Sequence, residues 1–393
     1  MTTAYSRFLE TLYSLTRFGE KMSLDGPHAL HEALGRPLEN YPSILVGGTN
    51  GKGSTCAFLE RVIRDCGLKT GLFTSPHLNS FTERIRIDGR PIHSDWLVAE
   101  SEKVLEWAHG HGNSFFEAAW ALATRAFADA QVDIAIWEVG LGGRLDATNV
   151  ADPVVSCITS IGLDHTQILG STLDAIAREK SAIFRSDRPG LSGATGAGHV
   201  ALETVAKGRF RQVAPLDSDV MVSLPGEHQR RNASLALAVA KELGLRPSTA
   251  SLAAVSWPGR CELIDPFILD SAHNPHAMLA LADWITGEGL QGLPVIFGAM
   301  EGKDHPSMAS IIESFSDSIT LVTPDYPRRI PAGDLKPAFS RPVHVVDDVQ
   351  AALSMHRDKP QTLVCGSSFL IAEVRAYLLS LEYPECGLRT QAR

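Results

Sequence analysis

The segment Ser43-Ile44-Leu45-Val46-Gly47-Gly48-Thr49-Asn50-Gly51-Lys52-Gly53-Ser54 passes from an apolar, β-type run straight into a glycine-rich turn. Beyond it, Ala57, Phe58, Leu59, Val62, Ile63 and Cys66 recur at helical spacing and stop at Gly67. Strand, glycine loop, lysine and helix in that order suit a nucleoside triphosphate. Glycines let backbone N–H groups wrap the phosphates, the helix N-terminus adds positive potential, and Lys52 reaches the outer phosphates. Ser54 or Thr55 can then offer a hydroxyl to Mg²⁺. The match to GxxxxGK[ST] is incomplete: Val46 stands where its first glycine belongs, and Gly53 separates Lys52 from Ser54. The bland alternative is a plain glycine-rich turn; the ordered strand, lysine and helix favour a phosphate loop. Such a loop alone does not choose among kinase, motor, GTPase and ligase.

Outward from this segment, apolar strand-like runs alternate with helical patterns, which predicts an α/β chain built on parallel sheets. Ile134–Trp137 and Val154–Ile158 are further buried-strand candidates, and a helix is expected from Gln229 to Leu243. The stretch 186–226, rich in Gly, Pro and short polar runs, yields no assignable elements. A second alternation starts near 261, with strand candidates at Phe267–Leu269, Val295–Phe297, Ile319–Val322, Val343–Val346 and Thr362–Val364. The boundary is expected between Arg246 and Pro258, giving domains 1–256 and 257–393. No fixed-period repeat and no low-complexity segment is present.

Composition narrows the classes. The 393 residues carry 36 Lys plus Arg against 45 Asp plus Glu, a net charge of −9 that argues against general nucleic-acid or membrane-surface binding. With 44% apolar and 21% charged residues the chain is ordinarily globular rather than disordered. No apolar run approaches the roughly 18 residues of a spanning helix, and the N-terminal stretch, broken by Arg and Glu, makes a poor signal peptide. Six scattered cysteines without a CxxC pair read as reduced, mostly buried thiols of a cytoplasmic protein.

In open α/β sheets, ligands gather at the carboxyl ends of strands. Glu138 stands at such an end, followed by the flexible turn Gly140-Leu141-Gly142-Gly143-Arg144-Leu145-Asp146, and a carboxylate there could hold Mg²⁺. A lone strand-end Glu is more often simply solvated. One strand later comes Asp164-His165-Thr166, which makes His165 a candidate ligand on the same rim. Ser75, in Thr74-Ser75-Pro76-His77, follows another short run and could face the phosphates, although an ordinary turn serine is the default. Arg178-Glu179-Lys180 reads as a surface charge cluster unless Lys180 turns inward.

Taken together, GTNGKGS at 48–54, SPHL at 75–78, EVGLGGRLDATN at 138–149, LDHT at 163–166, REKSAI at 178–183, HQRRNA at 228–233, PGR at 258–260 and DSAHNPHA at 270–277 resemble the folylpolyglutamate synthase/dihydrofolate synthase family, within the wider group of Mur-type amide ligases. The motifs run in family order across roughly three-quarters of the chain. The resemblance implies a P-loop ATP-binding N-terminal domain, a smaller Rossmann-like C-terminal domain, and an active site in the cleft between them. It also implies ATP-dependent amide formation on dihydropteroate or a folate with L-glutamate, through an acyl phosphate, in a protein that is generally monomeric.

Position by position, the resemblance places Asn50, Gly51, Lys52, Gly53 and Ser54 around the ATP phosphates, and Asn232, Arg260 and Asp270 on the rest of the nucleotide. Ser75, Glu138 and His165 match magnesium positions. Lys180 matches a lysine that the family carboxylates with CO₂, turning an ammonium into a ligand for a second Mg²⁺. Phe115, Phe116, Glu117 and Asp146 align with the pterin-binding region, where an aromatic face and a carboxylate suit a flat, hydrogen-bonding heterocycle. Three features depart or stay unmapped. The stretch 186–226 is short for the family, the family's HDKD pattern stands here as Glu301-Gly302-Lys303-Asp304, and Arg17-Phe18-Gly19-Glu20-Lys21 resembles a pterin-side loop.

Two other readings stay open on sequence. A Mur-type ligase acting on a UDP-linked cell-wall precursor usually carries an extra N-terminal domain, for which 47 residues ahead of the phosphate loop leave little room. A P-loop kinase or nucleotide-switched binding module would not need a second domain carrying Asp270-Ser271-Ala272-His273-Asn274-Pro275.

Overall fold

The structure is a computed structural model that describes residues 3–16 and 23–381. The Arg17–Lys21 motif and Cys386 lie outside the described residues. Eight strands form the first sheet: β1 (Ser43–Gly47), β2 (Thr70–Phe73), β3 (Ile85–Ile87), β4 (Arg90–Pro91), β5 (Ile134–Glu138), β6 (Pro153–Ile158), β7 (Gly190–Ser192) and β8 (Arg211–Gln212). They lie in the order β4-β3-β2-β5-β1-β6-β7-β8, with β2, β5, β1, β6, β7 and β8 parallel. The short β3 and β4 close one edge antiparallel. Six strands form the second sheet: β9 (Glu262–Ile264), β10 (Phe267–Leu269), β11 (Val295–Phe297), β12 (Ile319–Leu321), β13 (His344–Val345) and β14 (Thr362–Cys365). Their order is β13-β12-β11-β14-β10-β9, parallel except for β9.

Period-2 alternation sorts each strand's side chains between two layers of helices. In the first sheet, Ile44, Val46, Ile134 and Ile136 pack toward the helices Lys52–Asp65 and Glu227–Glu242. Leu45, Ala135 and Trp137 point the other way, onto Trp120 and Phe127 of the helix Phe115–Asp129. The second sheet repeats the plan. Val295, Phe297 and Leu363 meet the helices Pro275–Gly287 and His305–Phe315, while Ile296 and Val364 meet Val349–His356 and Ser368–Leu379.

The unassigned stretch 186–226 contains β7, β8 and the helix Gly196–Ala206 between them. Its signal is weak because β7 and β8 are only three and two residues long. The expected helix from Gln229 to Leu243 runs Glu227–Glu242, and the strand expected at Val343–Val346 shrinks to His344–Val345 at the exposed sheet edge. Of the five described cysteines all are free thiols, buried except Cys66. Among the described residues, no helix is long and apolar enough to cross a membrane.

Candidate active site

Strand order decides which side chains meet. Because β2, β5, β1 and β6 are parallel neighbours, their carboxyl ends form one rim. That rim carries, in turn, Ser75, Glu138, the loop 47–51, and Asp164 with His165. The loop ends at Gly51, which adopts φ +85° as the N-cap of the helix Lys52–Asp65. Only a residue without Cβ fits there easily, and the close Asn232 amide reinforces the demand: an added Cβ would stand 2.5 Å from its Oδ1. Asn232 is buried and donates to Gln229 Oε1 at 3.0 Å, so the helix Glu227–Glu242 presents a fixed amide to the phosphate loop.

A second loop, Thr159–Asp164, is bound to the first by a ladder of short contacts. Thr49 N donates to Ser160 O (2.8 Å), Asn50 N to Ser160 Oγ (3.0 Å), Thr159 Oγ1 to Asn50 O (2.6 Å) and Gly162 N to Thr49 Oγ1 (3.0 Å). These contacts satisfy the polar groups of a buried turn and stiffen it.

Two ammonium groups converge on one carbonyl. Lys52 Nζ donates to Gly48 O (3.1 Å) and Thr49 O (3.2 Å), and Lys180 Nζ donates to the same Gly48 O at 2.9 Å. Lys180 is 5% exposed, so it has turned inward rather than joining a surface cluster. Burial first, and then the charge of Lys52, bring its pKa down to about 7. Glu138 is likewise buried; its Oε2 accepts the Ser75 amide at 2.9 Å. Burial raises its pKa, opposed chiefly by Lys52 and the Ser75 N–H. His165, partly exposed, has its pKa lowered to about 4, first by desolvation and further by Lys303 and Lys52, against the opposing charge of Asp164.

A cation fits this donor set. Ser54 Oγ and Thr55 Oγ1 are buried hydroxyls without a hydrogen-bond partner, in the first turn of the helix that Lys52 opens. A buried carboxylate, a neutral imidazole and orphaned hydroxyls are hard-to-borderline ligands of the kind Mg²⁺ or Mn²⁺ accepts. The described residues contain no cluster of three or more His, Cys, Asp or Glu side chains with metal-site geometry, so hydroxyls and phosphate oxygens must complete any shell.

The other expected residues are held by local contacts. Asp146 Oδ2 accepts the amides of Gly140 (3.0 Å) and Leu141 (2.9 Å), and its Oδ1 accepts Thr148 N (3.0 Å) and Oγ1 (2.6 Å). It therefore shapes the glycine turn after Glu138. Glu117 completes a capping box with Ser114, whose amide it accepts at 2.6 Å. Phe115 packs at a tilt against Tyr13 (5.0 Å between centroids) beneath the Arg84 guanidinium (5.1 Å), and Phe116 packs against Phe73 (5.7 Å). Asp270 accepts Cys261 N (3.0 Å) and Ala272 N (2.8 Å), fastening the linker residue after Arg260 to the second sheet.

Three participants escape reading from sequence. Trp257, just ahead of the Pro-Gly-Arg motif, covers Gly53: a Cβ there would stand 3.1 Å from Trp257 Nε1 and 3.6 Å from Glu138 Oε1. The glycine that interrupts the phosphate-loop pattern is thus the seat of an indole. Asn274 forms a reciprocal amide pair with Asn50, 3.0 Å each way, and Lys303 Nζ donates to Asp164 Oδ1 at 2.6 Å. Burial works against ionisation of Asp164, yet the neighbouring His273 ring and the Lys303 charge hold its carboxyl far below the usual range.

A phosphate loop on one parallel sheet, faced by the strand ends and loops of a second, is the plan of the Mur-type ligase class. The Mur ligase middle domain matches residues 46–192, and the Mur ligase glutamate ligase domain matches 259–368. The dihydrofolate synthase/folylpolyglutamate synthase of Bacillus subtilis is 31% identical over 431 aligned positions, covering 96% of this chain and 100% of that protein. A probable bifunctional folylpolyglutamate synthase/dihydropteroate synthase of Haloferax volcanii is 33% identical, over 94% of this chain but 50% of its own length; the chain spans about half of that relative. Escherichia coli FolC in complex with DHPP and ADP superposes with a TM-score of 0.88 at 29% identity, over 96% of this chain and 98% of that one. The Yersinia pestis bifunctional folylpolyglutamate synthase/dihydrofolate synthase, complexed with AMPPNP and a Mn ion, gives 0.85 at 29% identity over 97% and 99%. The chain belongs to the dihydrofolate synthase/folylpolyglutamate synthase family.

Proposed function

We propose that this chain is an ADP-forming ligase that joins L-glutamate to dihydropteroate, to a folate, or to both. The observation that carries the reading is the convergence of Lys52, Lys180, Glu138 and His165 on one rim, with Lys303, His273 and Asn274 of the second sheet meeting the same rim.

The reaction follows from the charges. A free carboxylate is a poor acyl donor, so its oxygen attacks the γ-phosphorus of ATP, the bond to the β-phosphate oxygen breaks, and ADP leaves. The glutamate amine, after losing a proton, attacks the acyl carbon, and the tetrahedral adduct expels inorganic phosphate. Bringing two anions together requires positive charge, supplied by Lys52 and the helix N-terminus behind it. Gly51, Gly53, Ser54 and Asn50 shape the phosphate cradle, while Asn232, Arg260 and Asp270 border the rest of the nucleotide. Ser75, Glu138 and His165 would hold Mg²⁺, with Lys180, N-carboxylated, serving a second ion; bound there, the cations neutralise phosphate charge. Phe115 and Phe116 offer flat apolar faces to a pterin, with Glu117 and Asp146 beside them. Residues 1–256 carry the nucleotide and pterin side and 257–393 the glutamate side, in a monomer working in the cytoplasm without nucleic-acid or membrane partners.

The deciding experiment is a coupled ADP-release assay with dihydropteroate and with tetrahydrofolate, each with and without L-glutamate. ADP release that requires both a pterin carboxylate and glutamate is the expected result. Turnover of a UDP-linked cell-wall precursor, or phosphoryl transfer to a product formed without glutamate, would overturn the assignment.

A further inference from the structure

One carboxylate of the first lobe collects three side chains of the second. Asp164 Oδ1 accepts Lys303 Nζ at 2.6 Å, Oδ2 accepts Asn274 Nδ2 at 2.9 Å, and His273 Nε2 lies 3.7 Å from Oδ2. These partners come from two loops, one after β10 and one after β11. The pair is largely withdrawn from solvent, with side-chain exposures of 9% for Asp164 and 12% for Lys303, so salt screens it weakly. On the other side, the loop holding Asp164 is fastened to the phosphate loop through Thr49, Asn50, Thr159 and Ser160. Asn274 completes the circuit by pairing with Asn50 itself, whose Nδ2 also donates to His276 Nδ1 at 2.9 Å.

We propose that Asp164 is a positioning residue, an electrostatic latch that draws the second lobe onto the phosphate loop and couples its closure to the setting of Asn50. Its effect is on population: if the nucleotide is bound by both lobes, apparent affinity scales with the fraction of molecules already closed. Asp164 raises that fraction in the empty protein, and Lys303, His273 and Asn274 are the groups through which it does so. A plain surface ion pair would contribute little and act alone. The burial of this pair and its link to Asn50 predict a larger, shared effect.

The latch rests on the reading that nucleotide bridges the lobes, so one arm of the test omits nucleotide altogether. Small-angle X-ray scattering on the ligand-free full chain should show a larger radius of gyration for Asp164→Asn and for Lys303→Met than for wild type. Asp164→Glu and Lys303→Arg, which keep the ion pair, should scatter as wild type does. In the second arm, calorimetric titration with ADP should give a dissociation constant raised about tenfold in Asp164→Asn and in Lys303→Met. The double variant should be no weaker than either single one, because the two changes remove one interaction. Unchanged scattering in both single variants overturns the latch, as do additive losses in the double variant. Opening without any loss of ADP affinity overturns the bridging nucleotide instead, and with it the coupling to Asn50. Lys303→Met alone decides the matter should Asp164→Asn fail to fold.

Discussion

Gly51 has no side chain, and its surroundings leave room for none. Its left-handed backbone alone costs an alanine about 1 kcal/mol or more, and a new Cβ 2.5 Å from Asn232 Oδ1 must displace a buried amide. Gly51→Ala should therefore weaken ADP binding at least about tenfold by calorimetry, with a lowered melting temperature; wild-type affinity would show that Asn232 does not border the nucleotide. Lys180 allows a signed prediction. Its folded pKa of about 7 lies below the ordinary lysine value of 10.5, so between those values the unfolded chain binds more protons and stability rises with pH. At and below pH 7 the buried ammonium is most costly. Lys180→Met, which leaves Gly48 O with Lys52 as donor, should thus melt higher than wild type near pH 7 by at least ~1 kcal/mol equivalent, with the gain shrinking toward pH 10. A pH-independent difference counts against the burial account. In activity the order reverses: Lys180→Ala should be inactive and regain some turnover with added short carboxylic acids, and full activity without them would end the carbamate proposal.

The strand β1, its loop and the helix Lys52–Asp65 are legible in sequence because all their determinants lie within about two dozen consecutive residues. Glu138 and His165 are legible for a related reason: strand ends in parallel sheets face one rim, and Glu138 closes an apolar run while His165 follows one after a short loop. Trp257 gives no such signal. It belongs to the segment joining the two sheets, and its partner Gly53 is distant in sequence, so only folded geometry reveals that the indole occupies the glycine's vacancy. Arg86 lies over the same ring, 5.5 Å from its centroid, and pins the segment from the other side. Trp257→Ala should free it: tryptic cleavage after Arg260 is expected to accelerate several-fold, while Trp257→Phe, which keeps a ring over Gly53, should be cut at nearly the wild-type rate. Equal rates in all three proteins would show that the linker is held elsewhere. Asp146 and Glu117 illustrate the opposite limit. Their residue type and the family resemblance suggest substrate contacts, and the structure adds a local use: both Asp146 oxygens and Glu117 Oε2 accept nearby amides. Short-range capping is a default use of Asp and Glu that residue type alone does not distinguish from recognition.

Across the whole molecule, each sheet's core is announced by its own periodicity, but the meeting of the lobes is not. The Asn50–Asn274 pair spans 224 positions and Lys303–Asp164 spans 139. Neither sheet's hydrophobic pattern encodes the relative placement, which depends on the linker and on a few polar contacts of the kind that single sequences leave unmarked. The family resemblance supplies the cleft between domains as an expectation, and the geometry supplies the particular partners.

Gly48 O, shared by Lys52 and Lys180, has a consequence for the protein at rest. Wherever Lys180 is protonated and not carboxylated, two like charges crowd one oxygen, so the bare loop is electrostatically frustrated and any compact polyanion relieves it by mass action. Tripolyphosphate should lift the melting temperature well above that in sodium chloride of matched ionic strength, and the lift should vanish in Lys52→Ala. In a compartment rich in such solutes, the cradle would seldom stand bare: resting molecules would carry a surrogate that the true substrate must evict.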